Sequence, residues 1–190
     1  MAEAEASYPG MGTVGAAEVG NTFAPMGTLS AAGTNNALVV AHYAWAPDGS
    51  AVAFSNVFGV EGAGGVFRTD YQAATGTWGA PWRLVSEQAK GVAWYGNSIL
   101  YANGPYIRKI AADVANQTPV TIVTGATTDN MFYPCWSPNG THFVYVLLPG
   151  LRHGRLLPSE IYRAAADGSG KRNLTADTDL SYLANAWLAE

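Results

Sequence analysis

Residues 136–147 read Trp136-Ser-Pro-Asn-Gly140-Thr-His-Phe-Val-Tyr-Val-Leu147 and combine a turn with a strand. Proline restricts φ and glycine tolerates the positive φ that a tight hairpin needs, so Ser-Pro-Asn-Gly predicts a turn. The β-branched and aromatic residues after it predict a buried strand. A similar phrase, Trp45-Ala-Pro-Asp-Gly49, is followed by another apolar run. The chain therefore repeats a tryptophan-anchored hairpin.

Two further tryptophans extend this repeat. Trp94-Tyr-Gly-Asn-Ser begins a shorter version of the phrase, and Trp187 ends a fourth apolar run. Neighbouring tryptophans are roughly 40–50 residues apart, a period that is typical of β-propeller blades. The expected structural landmarks of the repeat are Trp45, Asp48, Gly49, Trp94, Trp136, Asn139, Gly140 and Trp187.

The repeat predicts an all-β chain, a partial β-propeller of about three four-stranded antiparallel blades plus flanking strands. An Ala/Gly-rich stretch at residues 1–27 shows no sustained period and is predicted to be a flexible arm. The propeller segment is predicted to occupy residues 28–190. Its units are expected near residues 37–85, 91–123 and 131–175, with the start of a further unit at 183–190.

Composition excludes several classes of function. Charged residues are only 13% of the chain and the net charge is −4, so no nucleic-acid partner is expected. No apolar run has the roughly 18–20 residues that a membrane span needs. Cys135 is the one cysteine, which rules out an internal disulfide and a multi-cysteine zinc site, and we expect it to be an inert buried thiol. No cofactor is predicted.

The N-terminal residues do not resemble a secretory signal, because they carry acids where a signal would carry Lys or Arg. The sequence itself leaves the compartment unknown. Either the protein is cytoplasmic or a targeting segment lies outside the sequence given.

The third unit resembles the repeat of the TolB-type β-propeller family throughout most of its length. The matching segments are Trp136-Ser-Pro-Asn-Gly140, Phe143-Val-Tyr-Val146, Glu160-Ile-Tyr162, Ala166-Asp-Gly168 and Arg172-Asn-Leu-Thr175. The first unit matches mainly from Trp45 to Phe54, and the second matches least. The resemblance covers about residues 37–190. It implies a propeller fold and suggests a periplasmic or extracellular location, but it says little about activity, because members include translocation proteins, lipoproteins and the gating domains of prolyl-oligopeptidase-like enzymes.

Four residues are candidates for binding a ligand or partner. His42 lies on a predicted inner strand, which lines the central channel of a propeller; the alternative is a polar residue that faces channel water. Arg152, His153 and Arg155 lie in the longest predicted connection, and Arg suits bidentate recognition of carboxylate or phosphate. The alternative for this loop is a surface insertion. We predict no catalytic and no metal-binding residues.

Three arginines, Arg68, Arg108 and Arg163, follow an apolar residue in each predicted third strand. Their shared position predicts that all three project in the same direction. They would then form a stepped basic array for an acidic partner or, on the simpler interpretation, each would shield its strand and pair with a local acid.

The sequence thus favours a non-catalytic propeller module that binds a protein or a ligand, since no Gly-x-Ser-x-Gly elbow is present. The alternative is the regulatory propeller, or a fragment, of a prolyl-oligopeptidase-like hydrolase; a propeller lyase is a weaker one. Three units would form an open arc. The expected partners are therefore a protein, the remaining blades of a longer chain, or a second copy of this chain.

Overall fold

The computed structural model describes residues 17–19, 22–24, 40–56, 64–150 and 157–176. Every regular element in these ranges is a β-strand, and the main strands form three antiparallel sheets. The predicted all-β fold, a partial propeller of about three blades, is therefore confirmed. No helix in the described ranges is long and apolar enough to cross a membrane.

A two-stranded hairpin lies inside the range predicted as an arm. Strand β1 (Ala17–Val19) pairs antiparallel with β2 (Thr22–Ala24). The limits of the arm stay a prediction.

Blade 1 has the predicted four antiparallel strands and one additional short strand. Its strands are β3 (Val40–Trp45), β4 (Ala51–Asn56), β5 (Gly65–Gln72), β6 (Thr77–Trp78) and β7 (Trp82–Val85). β3, β4, β5 and β7 form the four-stranded blade, and β6 pairs with the end of β5. The sequence analysis missed β6 because two residues carry no periodic signal.

Blade 2 is the most compact of the three in sequence. Its strands are β8 (Val92–Tyr95), β9 (Ser98–Asn103), β10 (Tyr106–Ala111) and β11 (Val120–Thr124). Asn103 pairs with Tyr106, so β9 and β10 are joined by a two-residue turn with Gly104 at φ 55°. Such a short turn fixes the register of the two strands.

Blade 3 repeats this meander. Its strands are β12 (Asn130–Trp136), β13 (His142–Leu148), β14 (Glu160–Ala165) and β15 (Arg172–Asn173). The outer strand comprises only the first two residues of the repeat segment Arg172-Asn-Leu-Thr175.

The hydrophobic core lies between the blades, in two clusters that we call seams. Seam 1/2 joins blades 1 and 2, and its fully buried members include Leu84, Ile99 and Tyr101. Seam 2/3 joins blades 2 and 3 around Leu100 and Phe143. Because successive residues of a strand face opposite sides, β9 contributes to both seams. A buried aliphatic side chain stabilises the fold by about 1.5–3 kcal/mol.

The landmark tryptophans occupy matching positions in the three blades. Each lies opposite the second residue of the next strand: Trp45 pairs with Val52, Trp94 with Ile99 and Trp136 with Phe143. Trp94 and Trp136 also pack against seams 1/2 and 2/3 respectively. Trp187 lies outside the described residues.

The landmark turn residues shape the hairpins. Asp48 Oδ1 accepts a hydrogen bond from the Ser50 amide at 3.0 Å, and Asn139 Oδ1 accepts one from the Thr141 amide at 3.1 Å. The glycine between each pair has a positive φ. Asp and Asn stabilise this kind of turn through the side-chain bond, which accounts for their presence here.

Blade 3 also contacts blade 2 at the outer rim. Gly168 has a φ of 87°, and a Cβ atom there would lie 1.8 Å from the carbonyl oxygen of Ile122 next to it on β11. Lys171 Nζ donates to the carbonyl of Thr124 at 3.4 Å. Only glycine permits this close approach of two backbones.

The prediction that three arginines project in the same direction is wrong. Directly opposite residues of an antiparallel pair share a face. Arg68 lies opposite Ala53 and faces blade 2. Arg108 lies opposite Tyr101, a member of seam 1/2, and therefore faces back to blade 1. The residue of blade 2 that corresponds to Arg68 is Lys109, because the short β9–β10 turn shifts the register by one residue.

Pairing with local acids is confirmed for two of these arginines. Arg68 forms an ion pair with Asp70, and Arg108 forms one with Glu87 at 3.1 Å. Partly exposed pairs of this kind contribute at most about 1 kcal/mol each. Both ion pairs join residues of blades 1 and 2 and of the segment between them.

Candidate functional site

The inner strands of the three blades, β3, β8 and β12, line a common cleft of about 500 Å³. This volume falls within the range of small-molecule and cofactor sites, about 300–1,000 Å³. β8 lies between the other two inner strands and contacts both. The cleft is therefore on the side of the arc that faces the axis of a propeller.

Aromatic side chains dominate the cleft. The aromatic lining residues are His42, Tyr43, Trp45, Trp94, Tyr133 and Trp136. The lining contains no Asp, Glu, Lys or Arg. Its side chains therefore carry no formal charge when His42 is neutral, and its polar groups include the hydroxyls of Tyr43 and Tyr133.

Backbone geometry places Tyr133 in the cleft wall. Tyr133 has a φ of 49°, which is uncommon for a residue with a side chain, and it lies in an irregular stretch of β12 between Phe132 and Cys135. Its amide donates to the Lys90 carbonyl at 3.0 Å. A Cβ atom on Gly91 would come within 2.8 Å of the Tyr133 Cα atom, so glycine allows this approach. Strain of this kind often marks functional positions.

His42 lies in the cleft, half-buried, with its ring 5.0 Å from the Tyr133 ring in an edge-on arrangement. Burial lowers the pKa of His42 below its ordinary value. The ring is thus favoured in its neutral form, with one nitrogen able to donate and the other able to accept a hydrogen bond. His42 is one of several polar side chains in this wall, together with Tyr43, Tyr133 and Cys135.

Of the four candidate binding residues, only His42 lies among the described residues. Arg152, His153 and Arg155 lie outside the described residues, and so their predicted role stays a prediction. Cys135, which was expected to be fully buried, is half-buried in the cleft wall, where its thiol donates to the Trp136 carbonyl at 3.7 Å. The β12 bulge turns it partly toward the cleft.

The sequence analysis missed Tyr43 and Tyr133 as cleft residues. Tyr43 is 49% exposed and projects from β3 next to His42. Alternation along β3 places Tyr43 on the side of the strand opposite His42, so it gave no signal that both residues line the cleft. Nothing in the sequence indicates the positive φ of Tyr133. No group of three or more His, Cys, Asp or Glu side chains with metal-binding geometry occurs in the described parts of the chain.

Comparisons with known proteins returned no matching family model and no matching curated protein. Among solved structures, a protein assigned as TolB from Agrobacterium tumefaciens aligns with 74% of this chain at 19% identity, with a TM-score of 0.58. A prolyl endopeptidase aligns with 81% of this chain at 15% identity, with a TM-score of 0.50. The matches cover 50% of the TolB chain and 25% of the endopeptidase chain.

This chain thus spans half or less of the length of each of these structures. At such low identity the likeness shows the fold alone. The described residues have a partial β-propeller fold similar to that of the TolB structure.

Proposed function

We propose that this protein is a non-catalytic propeller module that binds an extended, uncharged segment of a partner protein in the inner-strand cleft. The observation that carries the proposal is the aromatic lining supplied jointly by β3, β8 and β12. Grooves lined by aromatic side chains suit peptide segments rich in proline or other apolar residues.

The backbone of the inner strands supports a peptide ligand. β3, β8 and β12 each pair with one strand of their own blade, and each is the edge of its sheet in the described structure. An edge presents backbone N–H and C=O groups, which an extended peptide can engage. The neutral His42 ring adds a donor and an acceptor without adding charge.

Selection of peptides from a random displayed library tests this proposal. We expect the enriched sequences to be uncharged and to contain proline or aromatic residues. Tyr43→Ala should weaken their binding about tenfold or more, because the loss of an aromatic anchor costs more than 1 kcal/mol. Val120→Ala is the matched control, since Val120 is 59% exposed on β11, away from the cleft lining. Enrichment of charged peptides, or equal binding by the Tyr43 variant, would contradict the proposal.

A second candidate function is the regulatory propeller of a larger hydrolase. It is favoured by the likeness to a prolyl endopeptidase over 81% of this chain. A reading frame that continues into an α/β-hydrolase region would support it. The cleft would then admit peptides to a catalytic domain that lies beyond residues 1–190.

We also propose that further blades complete the arc, from a longer chain or from a second copy. Blade 3 carries Val144, Val146 and Ile161 on the face opposite seam 2/3, where the two valines are already buried and Ile161 is partly exposed. These residues are of the same apolar type as those that join the described blades. Light scattering after size-exclusion chromatography should show an assembly larger than a monomer for the isolated chain; a soluble, sharply melting monomer would contradict this proposal.

A further inference from the structure

The two seams differ at the residue that follows the landmark tryptophan of the first blade in each seam, Trp45 in seam 1/2 and Trp94 in seam 2/3. In seam 2/3 this position is Tyr95, the residue after Trp94. Its ring lies 6.0 Å from the Trp136 ring, and a Cβ atom on Gly140 would lie 2.0 Å from it. The Tyr95 ring therefore occupies the space between the two blades.

In seam 1/2 the equivalent residue is Ala46, which follows Trp45. Alanine has no ring to fill the space, and a cleft of about 330 Å³ lies there. It is lined by side chains of both blades, among them Asp48, Arg68, Trp94 and Asn97. This cleft is separate from the inner-strand cleft, although Trp94 borders both.

Asp48 supplies a carboxylate acceptor. Its Oδ1 atom accepts hydrogen bonds from the Ser50 amide at 3.0 Å and the Ser50 hydroxyl at 2.7 Å. These bonds lower the pKa of Asp48, so the carboxylate is ionised at neutral pH. In the described structure the bonds use Oδ1 and leave Oδ2 for a ligand.

Arg68 supplies donors that are held in position. Nε and Nη2 donate to Asp70, and Nη1 donates to the Ala112 carbonyl at 2.8 Å. The guanidinium carbon lies 5.6 Å from the Trp82 ring centre and 5.1 Å from that of Trp94. Three of its five N–H groups are used in these bonds within the described residues, and so two remain for a ligand.

The charges restrict the class of ligand. Asp48 and Arg68 are the charged residues of the lining, one of each sign. An anion would meet Asp48 and the nearby Asp70, and a cation would meet Arg68. A neutral molecule with neighbouring hydroxyl groups fits both, since each hydroxyl donates as well as accepts. Trp94 borders the cleft, with its ring in contact with the Arg68 guanidinium.

We infer that the cleft in seam 1/2 binds a neutral sugar unit, with Asp48 accepting from one hydroxyl and Arg68 donating to its neighbour. The inference is independent of the proposed peptide site. The volume of about 330 Å³ lies at the lower end of the range for small-molecule sites and suits one sugar ring.

Ligand-observed NMR with the methyl glycosides of glucose, galactose, mannose and N-acetylglucosamine tests this inference. At least one glycoside should bind the wild-type chain at millimolar concentration. Ala46→Tyr should abolish the signal, because the ring would fill the cleft as Tyr95 fills seam 2/3. Asp48→Asn should weaken binding about tenfold, because it removes the ionised acceptor.

Each variant has a control in the chain itself. Asp48→Asn keeps the turn, since Asn139 makes the same backbone bond in blade 3; Asn139→Asp is the reverse exchange and should leave binding unchanged. If the Ala46→Tyr variant does not fold, the comparison of Asp48→Asn with Asn139→Asp still tests whether the cleft binds the glycoside. Absence of binding by all four glycosides, equal binding by Asp48→Asn, or binding of amino acids such as glycine and L-alanine in place of sugars would overturn the inference.

Discussion

The seams between the blades and the inner-strand cleft are built from similar aromatic and apolar residues, yet they differ in burial. Phe143 in seam 2/3 is fully buried, whereas Tyr43 in the cleft is 49% exposed. Phe143 belongs to the second strand of blade 3, and Tyr43 belongs to the inner strand of blade 1; these two kinds of strand pair with each other in every described blade. The comparison shows that the second strand of a blade places its aromatic residue in the core between blades, whereas the inner strand leaves an aromatic residue exposed.

The largest effect should follow from removing a ring in a seam. Phe143→Ala leaves a cavity between blades 2 and 3 and should reduce the free energy of unfolding by about 3–5 kcal/mol. Urea denaturation measures this loss. Tyr43→Ala is the comparison and should change stability by no more than about 0.5 kcal/mol, because the side chain is exposed. Similar losses in both variants would show that the cleft is also part of the core.

An intermediate effect is expected at the outer rim. Gly168→Ala introduces both a strained positive φ and a clash with the Ile122 carbonyl, so we expect a loss of about 2–4 kcal/mol. Gly170 lies in the same turn with a φ of 62°, and a Cβ atom there meets nothing within 4 Å. Gly170→Ala should therefore cost only about 1 kcal/mol. Thermal melts of the two variants separate the strain from the clash, and equal losses would contradict the rim contact.

The smallest expected effect is the pH dependence of stability that His42 contributes. Since burial lowers the pKa of His42, the unfolded chain takes up a proton near pH 6.5 while the folded chain stays neutral to lower pH. The contribution of His42 to stability is thus present above that pH and decreases as the pH falls through it. His42→Gln should flatten this part of the stability profile between pH 7 and 5. An NMR titration in which the His42 ring titrates at or above its ordinary pKa would contradict the expectation.

The strand order could be predicted from the sequence because turn residues and apolar runs recur together. The register of Arg108 could not be predicted, because motif alignment places it beside Arg68, whereas the two-residue turn before β10 shifts it by one position. A shift of one residue moves a side chain to the other face of the sheet.

The candidate site was predictable only in part. His42 was placed on an inner strand because it precedes Trp45 by three residues in an apolar run. The position of Tyr133 in the cleft lining depends on its positive φ, which no local sequence pattern predicts. The cleft in seam 1/2 depends on Ala46 facing a neighbouring blade, a relation between distant residues that a linear pattern does not contain.

The contact of Gly168 with β11 has a further mechanical consequence. Blades 2 and 3 contact each other through the inner strands β8 and β12 and again at the outer rim, so rotation about either line of contact would break the other contact. Two separated attachments fix the wedge angle between the blades. That angle sets how many blades a closed circle can hold, and any subunit or segment that completes the circle must match it.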